Sequence, residues 1–276
     1  MRQRIDQRPR ARHVFVAALV LLPVGSCVEG QRPAPRAVDG VLDLRDWDFG
    51  KDGTVELRGE WRIRPNDISE HWATTPLPEA AGTIAVPGGW EKHMSTWGNA
   101  TLQLDVMLPN EAARLYGLEI QRSSSASRLF AAAKPVASLG KLGTSRAATV
   151  SEWSEAVGYA KLANSVRLTW HISNYHHVPG GPLFAPKLGL PKELNTNRLQ
   201  YYTFQFSVFG FLLMVGLYHL LIWALQHRDR SVLWFALLCL IFAIRVPASD
   251  HVFTLLIDPG LDTLENRLSL GTFFLG

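Results

Sequence analysis

Between Thr203 and Leu225 the chain runs for 23 residues without an Asp, Glu, Lys or Arg. A helix needs about 20 apolar residues to cross the hydrocarbon of a bilayer. Gln205, Ser207 and His219 fall inside the run. They are tolerable because a charged group at mid-depth is the costly case, at about 2.5–3.5 kcal/mol. The run ends in the basic stop Gln226-His-Arg-Asp-Arg230, and short loops rich in Lys and Arg stay on the cytoplasmic side. The preceding residues are therefore expected outside the cytoplasm. The competing reading, a core helix of a soluble protein, is disfavoured by the length of the charge-free run.

The mean hydropathy of +0.04 is an average over two unlike parts. A polar, Gly- and Pro-rich stretch reaches to about residue 200, and an apolar one follows. Charge is uneven too. Of 28 Lys and Arg, five (Arg2, Arg4, Arg8, Arg10 and Arg12) lie in the first 26 residues against a single acid, Asp6, and the remainder balances. The basic character thus belongs to the leader, and no nucleic-acid footprint is expected. Two cysteines, Cys27 and Cys239, lie far apart at the end of the leader and inside an apolar run. The region between carries none, so its stability is expected from its core rather than from cross-links.

Residues 1–27 carry a basic head, an apolar middle over Val14–Leu22 and small residues before Cys27. That order describes an export signal. Val24-Gly-Ser-Cys27 resembles a bacterial lipobox, which would make Cys27 an acylation site; ordinary cleavage or an uncleaved anchor are the alternatives. Residues 28–37 read as a linker.

From residue 38 to 190 short segments alternate with period two. Thr54–Arg58 and Glu60–Arg64 alternate apolar with charged residues, Thr101–Pro109 aligns Leu102, Leu104, Val106 and Leu108, and Val166, Leu168, Trp170 and Ile172 repeat the pattern. Thr83–Val86, Leu115–Ile120 and Arg128–Ala133 are further expected strands, and Pro87-Gly-Gly89 and Pro179-Gly-Gly-Pro182 mark turns. Many short strands with Gly/Pro punctuation predict an all-β sandwich.

Leu57-Arg-Gly-Glu-Trp-Arg62, Val86-Pro-Gly-Gly-Trp90 and Ala100–Pro109 together resemble the jelly-roll domain of the galactose-binding superfamily, as in the N-terminal domains of β-galactosidases and β-glucuronidases. With Leu42–Phe49 ahead, Ser173–His177 behind, Gly216-Leu-Tyr-His219 in the apolar run and Arg228–Ser231 after it, the order over residues 40–276 resembles bacterial seven-transmembrane receptors with diverse intracellular signalling modules. The resemblance implies a galactose-binding-like jelly roll followed by α-helical transmembrane segments, and an output module such as a histidine kinase or nucleotide cyclase beyond Gly276. One departure stands out: such domains usually carry an Asn-Gly-Lys turn where this chain has Ala132-Ala-Lys-Pro-Val136.

Candidate chemistry is sparse. Seven of the nine tryptophans precede the apolar run, and aromatic rings serve both cores and sugar platforms. Trp61 and Trp170 are expected in the core, whereas Trp90 and Trp97 flank the loop Glu91–Thr96 and are candidates to line a pocket. Tyr175, His176 and His177 are candidate ligand contacts or a backbone-bonded turn. Neighbouring residues of an extended chain point to opposite faces, and no Cys, Asp or Glu stands at ligand spacing, so no metal is expected there. No cofactor and no catalytic constellation is expected; Asp105 and Glu119 read as residues in ordinary strand surroundings. The partners expected are a lipid bilayer, an unidentified small-molecule or carbohydrate ligand, and a second copy in a homodimer, with no nucleic acid.

Residues 191–202 begin with Pro at a plausible first helical position and are expected to form a helix leading into the first span, 203–225. Residues 231–247 read as a second span, with Arg245 near its far end either snorkelling or transmitting a signal. The acidic loop that follows suits the outer side, and 268–276 starts a third span that is expected to be truncated. The expected function is the sensory end of a receptor in a bacterial inner membrane, with its N-terminal domain extracytoplasmic. A membrane-tethered carbohydrate-binding module and a carbohydrate-active enzyme subunit are the alternatives.

Overall fold

The computed structural model describes residues 32–78, 81–123, 125–152, 154–226 and 229–249. The export segment with Cys27, Trp153, the acidic loop from residue 250 and the run 268–276 lie outside the described residues. The compact unit that contains the domain is Pro33–Gly276.

Eleven strands are described: β1 Val41–Asp43, β2 Val55–Glu56, β3 Gly59–Pro65, β4 Gly82–Val86, β5 Gly98–Met107, β6 Arg114–Ser123, β7 Ala126–Ala131, β8 Lys134–Leu139, β9 Ser154–Leu162, β10 Ser165–Asn174 and β11 Lys187–Gly189. They form two sheets. Sheet A is ordered β4-β3-β5-β10-β7-β8 with β1 parallel to β5, and sheet B is ordered β2-β11-β6-β9. The chain crosses between sheets from β5 to β6, back from β6 to β7, and again at β8–β9 and β9–β10. Such exchange closes a sandwich around one core, as the alternation predicts.

That core is the inward set of both sheets: Leu102, Leu104 and Val106 of β5, Leu118 and Ile120 of β6, Leu168 and Ile172 of β10, together with Trp61 of β3. Trp61 is fully buried and donates its indole N–H to Leu57 O at 2.9 Å. Gly59 in the same motif has φ +124°, and a Cβ there would stand 2.3 Å from Ala37 O. The close approach seats Ala37, which is buried and gives its N–H to Arg58 O. The end of the expected linker therefore packs onto the sandwich instead of hanging free.

β8 and β9 are absent from the strands that alternation predicts. Pro135, Ala156, Gly158 and Ala160 blur their pattern, and β9 pairs with β6, a partner distant in sequence. The outward face of sheet A also departs from simple alternation. Thr101, Gln103, Thr169 and His171 point away from the core yet are buried, because residues 67–77 cover them. Gln103 gives its amide to Trp72 O at 2.7 Å and Thr75 O at 2.8 Å and accepts from Leu77 N at 2.6 Å.

Two helices follow. α1 spans Pro191–Gln226, so the expected linker helix and the first apolar run form one helix of 36 residues, about 54 Å long at 1.5 Å per residue. Among the described residues it is the helix long and apolar enough to cross a membrane. α2 spans Arg230–Ser249, and Asp229 caps its start by accepting from Ser231 N at 2.9 Å. The two helices pack where Gly216 admits Leu240 and where Ala236, Cys239 and Ala243 are buried. His219 bonds Val215 O, 2.9 Å away, and meets the edge of Phe235 with ring centroids 4.8 Å apart.

Candidate functional site

Of the residues singled out in the sequence, Trp90, Trp97, Tyr175, His176 and His177 fall in two connected loop regions. The Pro87–Gly89 and Pro179–Pro182 turns zip together, Gly88 N donating to Pro182 O at 2.9 Å and Trp90 N to Gly180 O at 3.1 Å. Gly181, at φ +114°, lies against Gly88 and Trp90. Trp90 is fully buried and gives its indole N–H to Thr96 O at 3.2 Å. It belongs to the core rather than to a pocket wall, because the tight Gly180 backbone seals its edge. Trp97 differs, with 43% of its surface exposed.

Tyr175 accepts from Asn99 Nδ2 at 3.0 Å and donates its hydroxyl to Thr144 O at 2.8 Å. His176 Nε2 lies 3.1 Å from Thr149 O. Asn174 brackets the backbone of His177 on both sides, accepting from its N–H at 3.3 Å and donating to its carbonyl at 2.8 Å. Burial, helped by the charge of His176, lowers the His177 pKa. Tyr175 and His176 thus tie the 141–150 loop to the end of β10. Among the described residues no group of three or more His, Cys, Asp or Glu is placed to hold a metal ion. Arg245 is half-buried on α2.

A second site is not legible in the sequence as such. On the outer face of sheet B, between β6, β9, β11 and the first turns of α1, lies a cavity of about 350 Å³. Leu194 anchors the helix: it is buried over Gly117, where a Cβ would stand 2.5 Å from Leu194 Cδ1. One turn on, Arg198 gives its Nε to Glu155 at 2.8 Å, and Tyr202 gives its hydroxyl to the same carboxylate oxygen at 3.0 Å. Tyr159 of β9 donates to Asn195 at 3.2 Å. Leu194, Arg198 and Tyr202 recur every four residues and so share one helix face, a spacing visible in the sequence. What that face meets is not.

Across the cavity Glu119 is 5% exposed and stands 3.5 Å from Lys187. The β11–β6 register puts the two side by side. Burial raises the Glu119 pKa, opposed by Lys187; Glu155 raises it further and Arg198 lowers it. The expectation of ordinary strand surroundings for Glu119 fails, because the Lys187 side chain on the neighbouring β11 and the first turns of α1 cover a position that alternation alone would leave in solvent. Gln121 gives its amide to Ala185 O at 2.6 Å and closes one side. Two carboxylates and two cations thus line one recess with no excess of either sign.

Residues 201–276 match the family model described as 7TM diverse intracellular signalling. No curated protein matches the chain. Among solved structures it is similar to a β-glucuronidase from Faecalibacterium prausnitzii, at 17% identity over 45% of this chain and 21% of that one, TM-score 0.35. It is similar to a GH2 β-galacturonidase from Eisenbergiella tayi bound to galacturonate, at 19% identity over 50% and 24%, TM-score 0.36. It is also similar to a glycosyl hydrolase family 2 member from Bacteroides cellulosilyticus, at 10% identity over 49% and 20%, TM-score 0.39. The chain spans under a quarter of the length of these enzymes.

Proposed function

We propose, from the match of residues 201–276 to the 7TM diverse intracellular signalling family, that this chain is the sensory end of a bacterial inner-membrane receptor. The sandwich lies outside the cytoplasm and takes a small-molecule ligand, with carbohydrate the first class to test. α1 carries the response into the membrane domain. This chain itself performs no catalysis; a glycan hydrolysis assay on it is expected to give no product.

The single helix Pro191–Gln226 carries this reading. Its first turns are built into sheet B through Leu194 and the Glu155–Arg198–Tyr202 cluster, and its later turns are the charge-free run. A helix without a break transmits displacement, whereas a loop would absorb it. A ligand acts on such a link only by differential affinity for two of its arrangements. The loops that hold Trp97, Tyr175 and His176 are the candidate ligand surface.

Three experiments test it. Protease added to intact spheroplasts is expected to cleave within residues 40–190; complete protection overturns the assignment of sides. Thermal-shift titration of the detergent-solubilised chain with a panel of monosaccharides and oligosaccharides is expected to find a stabilising sugar whose effect falls in Trp97→Ala. Insertion of three glycines after Leu190 in the full-length receptor is then expected to leave that shift intact and abolish output.

A further inference from the structure

We propose that the cavity between sheet B and α1 binds a zwitterionic phosphoethanolamine headgroup of a membrane lipid, its phosphate held by Arg198 and Lys187 and its ammonium by Glu119 and Glu155. The proposal rests on the reading of α1 as a membrane-entering helix.

Position is the first support. α1 runs against the direction of β9: Asn195 meets Tyr159, whereas Arg198 and Tyr202 meet Glu155 near the strand's start. The helix therefore leaves the sandwich at the end where β9 begins, and its charge-free run starts at Thr203. At 1.5 Å per residue, Tyr201 lies about 3 Å and Arg198 about 8 Å before that boundary. The headgroup layer on each side of a bilayer is about 5–8 Å deep. The part of the cavity wall formed by Arg198 and Tyr201 thus lies at headgroup depth. Phe184 and Tyr201 both line the cavity and are 44% and 42% exposed, as suits rings at the boundary of an apolar phase.

Charge is the second. An anionic headgroup would face two carboxylates, and a purely cationic one would face Arg198 and Lys187. A dipolar group with a phosphate at one end and an ammonium at the other matches both. Each protein charge already has a partner, so the cavity is organised without its ligand. A guanidinium has five N–H donors and an ammonium three, more than the contacts to Glu155 and Glu119 require. A primary ammonium can donate hydrogen bonds to the carboxylates, and a quaternary choline cannot, so the site discriminates between two zwitterions. Hydrogen bonds to charged groups set the expected preference at about ten-fold.

The test is native mass spectrometry of the whole chain in maltoside detergent, titrated with dihexanoyl lipids bearing phosphoethanolamine, phosphocholine or phosphoglycerol headgroups. A preference of about ten-fold for phosphoethanolamine, lost in Glu119→Gln and in Asn197→Trp, supports the site. Asn197 lines the cavity and belongs to neither ion pair, so its bulky replacement blocks the space without unpairing a charge. Equal binding of the three lipids overturns the proposal, as does a preference that survives both variants. Soluble O-phosphoethanolamine binding as tightly as the lipid overturns the lipid source and assigns the same chemistry to a dissolved ligand. Membrane insertion is scored separately by co-flotation with liposomes: intact insertion without headgroup preference refutes this site alone, whereas failed insertion refutes the receptor reading as well.

Discussion

Arg198 on α1 donates its Nε to Glu155 on β9 at 2.8 Å. This pair, joined by Tyr202 one turn later, is the polar half of the joint between a β-sandwich and a helix that continues into an apolar run. The apolar half is Leu194 over Gly117. Each half has a measurable signature.

Glu155 and Arg198 keep 18% and 31% of their side-chain surface exposed, so solvent weakens the pair without cancelling it. A double-mutant cycle with Glu155→Gln and Arg198→Met is expected to give a coupling of about 1 kcal/mol. Unfolding of the detergent-solubilised chain, followed by tryptophan fluorescence, measures it. Additive single effects would show that the joint does not use this contact.

Leu194→Ala removes a fully enclosed side chain and leaves a hole above Gly117. The expected cost is about 2–3 kcal/mol. Because the contact is between sheet and helix, amide exchange should rise first in residues 191–202 and only later in β5 and β10. Hydrogen exchange with mass spectrometry separates this from general loosening, which would raise both together.

Ala132 and Ala133 join β7 to β8 in a two-residue loop, Ala131 pairing with Lys134. Both sit at positive φ, 48° and 70°, the backbone that favours Asn-Gly in such hairpins. The departure from an Asn-Gly-Lys turn is thus a change of residue at positions whose backbone still suits Asn-Gly. An L-residue with a Cβ costs about 1 kcal/mol there. Ala133→Gly, alone or with Ala132→Asn, is expected to raise stability by about 1 kcal/mol, measured as a higher unfolding midpoint. No change would mean that the turn relaxes elsewhere.

His171 is 1% exposed on the covered face of sheet A, opposite Arg128, with Asp67 and His71 on the segment above it. Burial first, and then the Arg128 charge, lower its pKa to about 4 from the ordinary 6.5. The unfolded chain takes up the proton more readily than the folded one, so stability from this residue is complete above pH 6.5. It is lost as pH falls toward 4, by up to about 3 kcal/mol. His171→Gln should flatten the melting temperature over that window relative to the wild type. Parallel pH profiles for the two proteins would remove His171 as the cause.

Local spacing makes several features readable from the residues alone. Period two exposes the inward sets of β3, β5 and β10, because a half-buried strand must alternate. Gly59 of the Leu57–Arg62 motif and Gly88, Gly180 and Gly181 of the two Pro-Gly-Gly turns lie where backbone crowding demands them. The charge-free run announces a helix, and Pro191 marks its start. Strands β8 and β9 stay hidden, since small residues and proline carry little pattern. The same limit applies to the site: Trp90 and Trp97 look equivalent around their loop, yet the Gly180 backbone seals one into the core and leaves the other open.

The sequence by itself determined the partition of this protein into alternating strands followed by a charge-free helix, since period-two alternation and an unbroken apolar run are both carried by neighbouring residues. The tertiary structure alone decided that Glu119 and His171, outward by alternation, are covered, and that Glu119, Lys187, Glu155 and Arg198 share one recess. Burial and charge pairing depend on which distant segments pack together, and no local spacing encodes that.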